Sequence, residues 1–136
     1  MALALGVTAI RSKTISEAEI RAFATISEDF NPLHHDPEYA KATRYGGLIA
    51  CGPHYASLLM GLMATEFSKY GAMVGVDFTL SFTRPVRPGD TIELKWVVTR
   101  IEPKSKGDIV TCEGTVTNQE GVLVLSSTGK LMAFHS

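Results

Sequence analysis

The sequence predicts an α+β fold in which helices come early and strands come late. Three observations predict it. A capping-box pattern opens an amphipathic helix at Ser16. The stretch from His54 to about Tyr70 is nearly all apolar or small, as a buried helix requires. Beyond Gly71 the hydrophobic period switches from helical spacing to two.

Residues 7–15 are rich in β-branched side chains and predict a first strand. Ser16-Glu17-Ala18-Glu19 then places an N-cap serine three residues before a glutamate that reaches back to it. The helix so opened carries Ile20, Phe23 and Ala24 on one face and fades near Ser27. Asp36-Pro37-Glu38 is a second start, an N-cap followed by proline at the first helical position, and that short helix ends before Gly46-Gly47. Gly52-Pro53 opens a third, the central helix, with Gly71 as its stop. Val74, Val76, Phe78, Leu80 and Phe82 then alternate with small or polar residues in a strand. Arg84–Asp90 is turn-rich; Ile92, Leu94, Trp96 and Val98 mark the next strand, and Val110, Cys112, Gly114 and Val116 another. Asn118–Gly121 makes a hairpin turn into a last strand over Val122–Phe134. Short links between these strands predict antiparallel neighbours. A curved antiparallel sheet wrapped around one buried helix is a hot-dog arrangement, here expected as a single domain over residues 1–136. Its exposed sheet edge invites pairing, so a homodimer or higher homo-oligomer is the expected assembly.

Composition narrows the function classes. At 136 residues with 45% hydrophobic and 20% charged content, the chain sustains a core without metal or disulfide staples. A net charge of -1 argues against nucleic acid as a partner. The apolar N-terminus, Met1 to Val7, is short and lacks the basic lead-in of a signal peptide. No apolar run approaches the roughly 20 residues of a bilayer span, so no membrane partner and a cytoplasmic location are expected. Cys51 and Cys112 read as small buried hydrophobes rather than a disulfide.

The chemistry concentrates in Asp29-Phe30-Asn31-Pro32-Leu33-His34. Proline fixes its own backbone and holds Asn31 extended, so the segment is a shaped loop. Such a loop presents Asp29 and His34 to one water, the equipment for general acid–base addition or removal of water, and these two are the candidate catalytic pair. Asn31 fits a scaffold role, its amide bonding nearby backbone. The Gly52-Pro53 helix start offers unpaired N–H groups and partial positive charge where an oxyanion would form. Since proline has no N–H, the donor is Gly52, or His54 or Tyr55 behind it. Ser57, one turn in, completes the candidate substrate-binding set of Gly52, Asn31, His54, Tyr55 and Ser57, although its size equally suits tight helix packing. His34-His35-Asp36 does not make a metal site, because adjacent residues point apart and no third ligand sits at the needed spacing; His35 is expected to face solvent. Lys41, Arg44, Arg84 and Arg87 could meet a phosphate-bearing cofactor, but each taken singly reads as ordinary solvated charge.

The stretch Ser27-Glu28-Asp29-Phe30-Asn31-Pro32-Leu33-His34, followed by Asp36-Pro37 and Ala40, resembles the MaoC-like dehydratases and R-specific enoyl-CoA hydratases. Gly47-Leu48-Ile49-Ala50-Cys51-Gly52 and Phe82-Thr83-Arg84-Pro85-Val86 with Gly89-Asp90 extend the likeness over most of the chain. The resemblance implies a hot-dog fold, usually dimeric, and reversible hydration of trans-2-enoyl thioesters to R-3-hydroxyacyl thioesters. It implies Asp29 and His34 as the catalytic pair, Gly52 N–H as the donor to the thioester oxygen, and no cofactor beyond the coenzyme A that the substrate carries. The chain departs from the family pattern at Glu28, where the signature has glycine, at Pro53 and His54, where methionine and an aliphatic residue are common, and at Met60, where some members have serine. Three alternative functions share the fold. A dehydratase acting on acyl-carrier-protein thioesters would need a basic docking patch. A hot-dog thioesterase would want a carboxylate in the central helix near the thioester, whereas Glu66 lies about 21 Å beyond Gly52 along the axis. A non-catalytic acyl-CoA-binding protein would hold Asp29 and His34 misaligned.

Overall fold

The computed structural model describes residues 2–135. Strand β1 (Thr8–Thr14) leads into helix α1 (Glu17–Ile26). A 3-10 turn at Pro32–His34 and the short helix α2 (Pro37–Lys41) precede the central helix α3 (Gly52–Phe67). A second 3-10 turn, Ser68–Tyr70, prolongs α3 before Gly71, and then come β2 (Met73–Phe82), β3 (Thr91–Pro103), β4 (Gly107–Thr117) and β5 (Leu123–Phe134).

Local chemistry explains where the helices start. Ser16 Oγ accepts from Glu19 N–H at 3.1 Å and the Glu19 carboxylate accepts from Ser16 N–H at 3.3 Å, so the capping box forms in full. Lys13 Nζ, 2.6 Å from the same carboxylate, ties the end of β1 to the start of α1. Asp36 caps α2 by accepting from Tyr39 N–H at 3.1 Å. Helix α3 buries Tyr55, Ala56, Leu59, Leu62, Met63 and Phe67 in the core. The sheet grips it through Trp96, whose indole N–H donates to Leu59 O at 2.7 Å. Gly114 and Gly129 make room for that indole: a Cβ at either would come within 2.6 and 2.8 Å of its ring atoms.

The five strands form one antiparallel sheet in the order β1-β3-β4-β5-β2. The expectation that short links join antiparallel neighbours holds for β3 with β4 and β4 with β5, but not for β2 with β3. Residues 83–90 cross over instead. Ala50 N–H donates to Val86 O at 2.8 Å, which lays the link across the approach to α3 and buries Val86 completely. Ile15 then bonds Gly89 and Asp90 at 2.7 and 2.8 Å, delivering β3 to the side of β1. β1 and β2 are therefore the two edges. β2 is poorly covered on both faces: Val74, Val76, Leu80 and Phe82 are all exposed. Helix α3 is also less enclosed than its apolar sequence predicts, with Ser57, Ala64 and Thr65 exposed.

Candidate active site

The site grows from the way α1 ends. Ser27 caps the helix, and Glu28 follows with φ +60, a left-handed conformation ordinarily reserved for glycine. Asp29 N–H reaches back to Ala24 O at 2.8 Å, closing the turn. Glu28 thus adopts a backbone conformation that glycine takes without strain. Two side-chain turns then set the loop. Asp29 Oδ1 accepts from Asn31 N–H and Asn31 Oδ1 accepts from Leu33 N–H, each at 3.1 Å. Pro32 opens the 3-10 turn that carries His34.

His34 is buried and held from behind. Its Nδ1 lies 2.8 Å from Ile49 O, and Ile49 N–H donates to Leu33 O at 3.1 Å. A carbonyl only accepts, so Nδ1 carries a proton and Nε2 is the atom free to act. That Nε2 lies 3.3 Å from Asp29 Oδ2, with the His34 side chain 7% exposed and the Asp29 side chain 34% exposed. One partner is dry and fixed; the other opens to water. The arrangement suits holding a water molecule and moving its protons.

The tip of α3 lies within electrostatic reach. Burial raises the pKa of the Cys51 thiol, and the Asp29 carboxylate adds to the shift. Cys51 is the N-cap and supplies no side-chain hydrogen bond there. Its carbonyl accepts from His54 N–H at 3.0 Å, so the His54 amide is taken. Pro53 has none to offer. Gly52 N–H, with no helical acceptor four residues back, remains at the tip. The Phe82 ring lies against Gly52, and Tyr55 meets Phe82 edge to face at 5.8 Å between ring centroids.

The other candidate residues are distributed differently. Asn31 belongs to the loop that shapes Asp29. The His54 ring turns to α1, stacking on Phe23 at 4.9 Å with its Nδ1 buried and unpartnered. Burial holds the His54 pKa below its usual value, while Glu19 and Lys13 pull it in opposite directions. Ser57 is exposed and its hydroxyl donates to His54 O at 2.7 Å. His35 corrects the sequence reading: it is half-buried, not solvent-facing, and its Nε2 donates to Asp29 O at 2.8 Å. The 3-10 turn folds the chain back over the loop, with Asp36 N–H bonded to Pro32 O at 2.9 Å. Arg21 locks the same corner by donating to His35 O at 2.6 Å. Sequence reasoning missed His35 and Arg21 as supports of Asp29. The only local signal was the His34-His35 pair following a proline.

Cavities of about 490, 400 and 320 Å³ lie elsewhere on the isolated chain, and neither Asp29, His34 nor Gly52 lines them. Among the described residues no group of three or more His, Cys, Asp or Glu is arranged to hold a metal.

Comparison with known proteins gives the family and the fold. Residues 5–122 match the family described as MaoC like domain. The (R)-specific enoyl-CoA hydratase of Aeromonas caviae is 36% identical over 124 residues, covering 91% of this chain and 90% of that protein. A 3-hydroxybutyryl-CoA dehydratase of Methylorubrum extorquens is 34% identical over 117 residues, covering 86% and 74%. Among solved structures, the (R)-hydratase from A. caviae involved in PHA biosynthesis superposes with a TM-score of 0.88 at 34% identity, over 96% of this chain and 97% of that one. An unliganded R-hydratase from Pseudomonas aeruginosa gives 0.89 at 31% identity, over 98% and 84%. These neighbours share the hot-dog architecture of a five-stranded antiparallel sheet around α3.

Proposed function

We propose that this chain, which belongs to the MaoC-like dehydratase family and is a hydro-lyase, reversibly adds water to a trans-2-enoyl-CoA to give the R-3-hydroxyacyl-CoA. The observation that carries this reading is the 3.3 Å approach of His34 Nε2 to Asp29 Oδ2, with the ring fixed from behind by Ile49 O. Water held by the pair attacks C3 of the enoyl group. One member of the pair takes the proton that the water loses, and the other supplies a proton to C2. The short contact between them returns the proton, leaving the pair as it began. Between these events negative charge moves onto the thioester oxygen. Gly52 N–H and the α3 dipole face that charge, and such donors act most strongly where charge develops. His54, Tyr55 and Ser57 build the first turns behind that N–H, their side chains directed to α1, to Phe82 and to their own helix, and Asn31 holds the loop. The chemistry uses no cofactor; coenzyme A enters only as part of the substrate.

Glu66 supports hydration over hydrolysis. It sits at the far end of α3, paired with Lys69 at 2.9 Å and with Arg11 at 3.8 Å. The proposed unit is the whole 1–136 domain as a homodimer joined through the β2 edge, acting in the cytoplasm. The exposed apolar residues of β2 support the pairing. No helix among the described residues is long and apolar enough to cross a membrane.

A thioester panel tests the reading. Crotonyl-CoA and its acyl-carrier-protein counterpart would be assayed in parallel for loss of the enoyl group and for release of free thiol. The expected result is hydration of the CoA ester without thiol release. Thiol release, or tight binding with no turnover, would overturn it, and preference for the carrier protein would move the substrate to the dehydratase alternative.

A further inference from the structure

Each polar atom of Asp29 has a partner within the protein. Its N–H donates to Ala24 O at 2.8 Å, and its Oδ1 accepts from Asn31 N–H at 3.1 Å. Its carbonyl accepts from His35 Nε2 at 2.8 Å, which leaves Oδ2 to face His34 Nε2 at 3.3 Å. Of the three anchors behind Oδ2, two are backbone groups. The His35 ring is the one that a side chain supplies. Consecutive residues ordinarily point apart, yet the 3-10 turn at Pro32–His34 brings both rings onto the same aspartate, His34 at its carboxylate and His35 at its carbonyl.

His35 is held in turn. Arg21, half-buried on α1, donates to His35 O at 2.6 Å, and Glu17 one turn back holds the guanidinium at 3.3 Å. A line of contacts therefore runs from α1 through Arg21 and His35 to Asp29. A shift of the Asp29 carbonyl swings the carboxylate of the same residue, and the 3.3 Å gap to His34 leaves little slack for a shared water. Misplacement by about 1 Å can cost about 10²-fold in rate.

We infer that His35, braced by Arg21, is a positioning residue for water addition. It acts through Asp29, holding Oδ2 against His34 Nε2, and not on the substrate. The inference rests on the hydratase reading and deepens it at the same site.

The experiment measures kcat and KM for crotonyl-CoA hydration, with thermal unfolding on the same samples, in wild type, His35→Leu, His35→Gln, Arg21→Met, Asp29→Asn and the Asp29→Asn/His35→Leu double variant. His35→Leu keeps much of the bulk and loses the donor; it should lower kcat by about 10–10² with KM nearly unchanged. Glutamine carries an N–H at the reach of Nε2, so His35→Gln should recover kcat to within about threefold of wild type. Arg21→Met should lower kcat by about threefold, again with KM nearly unchanged. Because the ring works through the Asp29 carboxylate, adding His35→Leu to Asp29→Asn should cost much less than it costs wild type. The role is wrong if folded His35→Leu keeps its kcat, if glutamine does no better than leucine, or if the cost of His35→Leu is the same with and without the carboxylate. Should His35→Leu fail to fold, Arg21→Met decides, and an unchanged kcat there overturns the role. Each of these results with an active wild type removes His35 alone. Failure of folded wild type to hydrate crotonyl-CoA removes the hydratase reading and this role with it.

Discussion

At the scale of single residues, the loop from Asp29 to His34 is a set of short-range decisions. Pro32, the Asp29 and Asn31 side-chain turns and the end of α1 act within a few residues of one another, which is why the meeting of Asp29 and His34 was legible in the sequence. The supports of the pair were not. His35 reaches Asp29 O across six residues and Arg21 reaches His35 O across fourteen, and such contacts exist only once α1 lies against the loop. Glu28 carries a cost of its own. A side chain in the left-handed region is strained by roughly 1–2 kcal/mol, partly offset because glycine gives the unfolded chain more freedom. Glu28→Gly is therefore expected to raise the unfolding free energy by about 0.5–1 kcal/mol, read from urea denaturation. An unchanged or lower midpoint would mean that the loop does not hold this backbone shape in solution.

At the scale of elements, the helices were the easier part. Capping box, N-cap with proline, and a continuous apolar run are local signals, and all three helices start where those signals stand. The contact between α1 and α3 was harder to foresee, since His54 stacks on Phe23 inside it with Nδ1 unpartnered. Burial holds the folded-state pKa of His54 below its ordinary 6.5. Below that pH the unfolded chain takes up a proton that the folded chain refuses, so stability present above 6.5 is lost as the pH falls. Glu19, held below the ordinary carboxylate value chiefly by its hydrogen bond from Lys13, contributes only in more acid solution. Urea unfolding at about pH 7.5 and 5.5 is expected to show a loss of stability in wild type that shrinks in His54→Met. Equal losses in the two proteins would contradict the assignment. At neutral pH the replacement should be nearly neutral, because it removes an unsatisfied buried nitrogen along with the ring.

At the scale of the whole molecule, the sequence announced the sheet and its central helix but misled on strand order. A link of eight residues between β2 and β3 looks like a hairpin connection, yet its stitching to Ile15 and Ala50 sends it across the molecule. No local pattern encodes that crossing. It follows from the need to bury Val86 and to close the core over the start of α3. The same topology leaves β2 as an edge with apolar side chains facing water, a surface that natural sheets seldom leave unpaired. Sedimentation equilibrium is expected to find a dimer. Val76→Lys, which puts a charge on that edge where Val76 is now 57% exposed, should shift it toward monomer. Monomeric wild type would contradict the dimer, and a dimer indifferent to Val76→Lys would place its interface elsewhere.

In the proposed reaction Asp29 and His34 act together on one water molecule. The most direct measurement is the rate of crotonyl-CoA hydration by Asp29→Asn and His34→Ala, with thermal unfolding recorded on the same samples. Each variant is expected to stay folded and to lose about 10²–10⁴ in kcat. Because the two residues work as a unit, the double variant should be scarcely slower than either single one. Undiminished turnover in the folded single variants would contradict it.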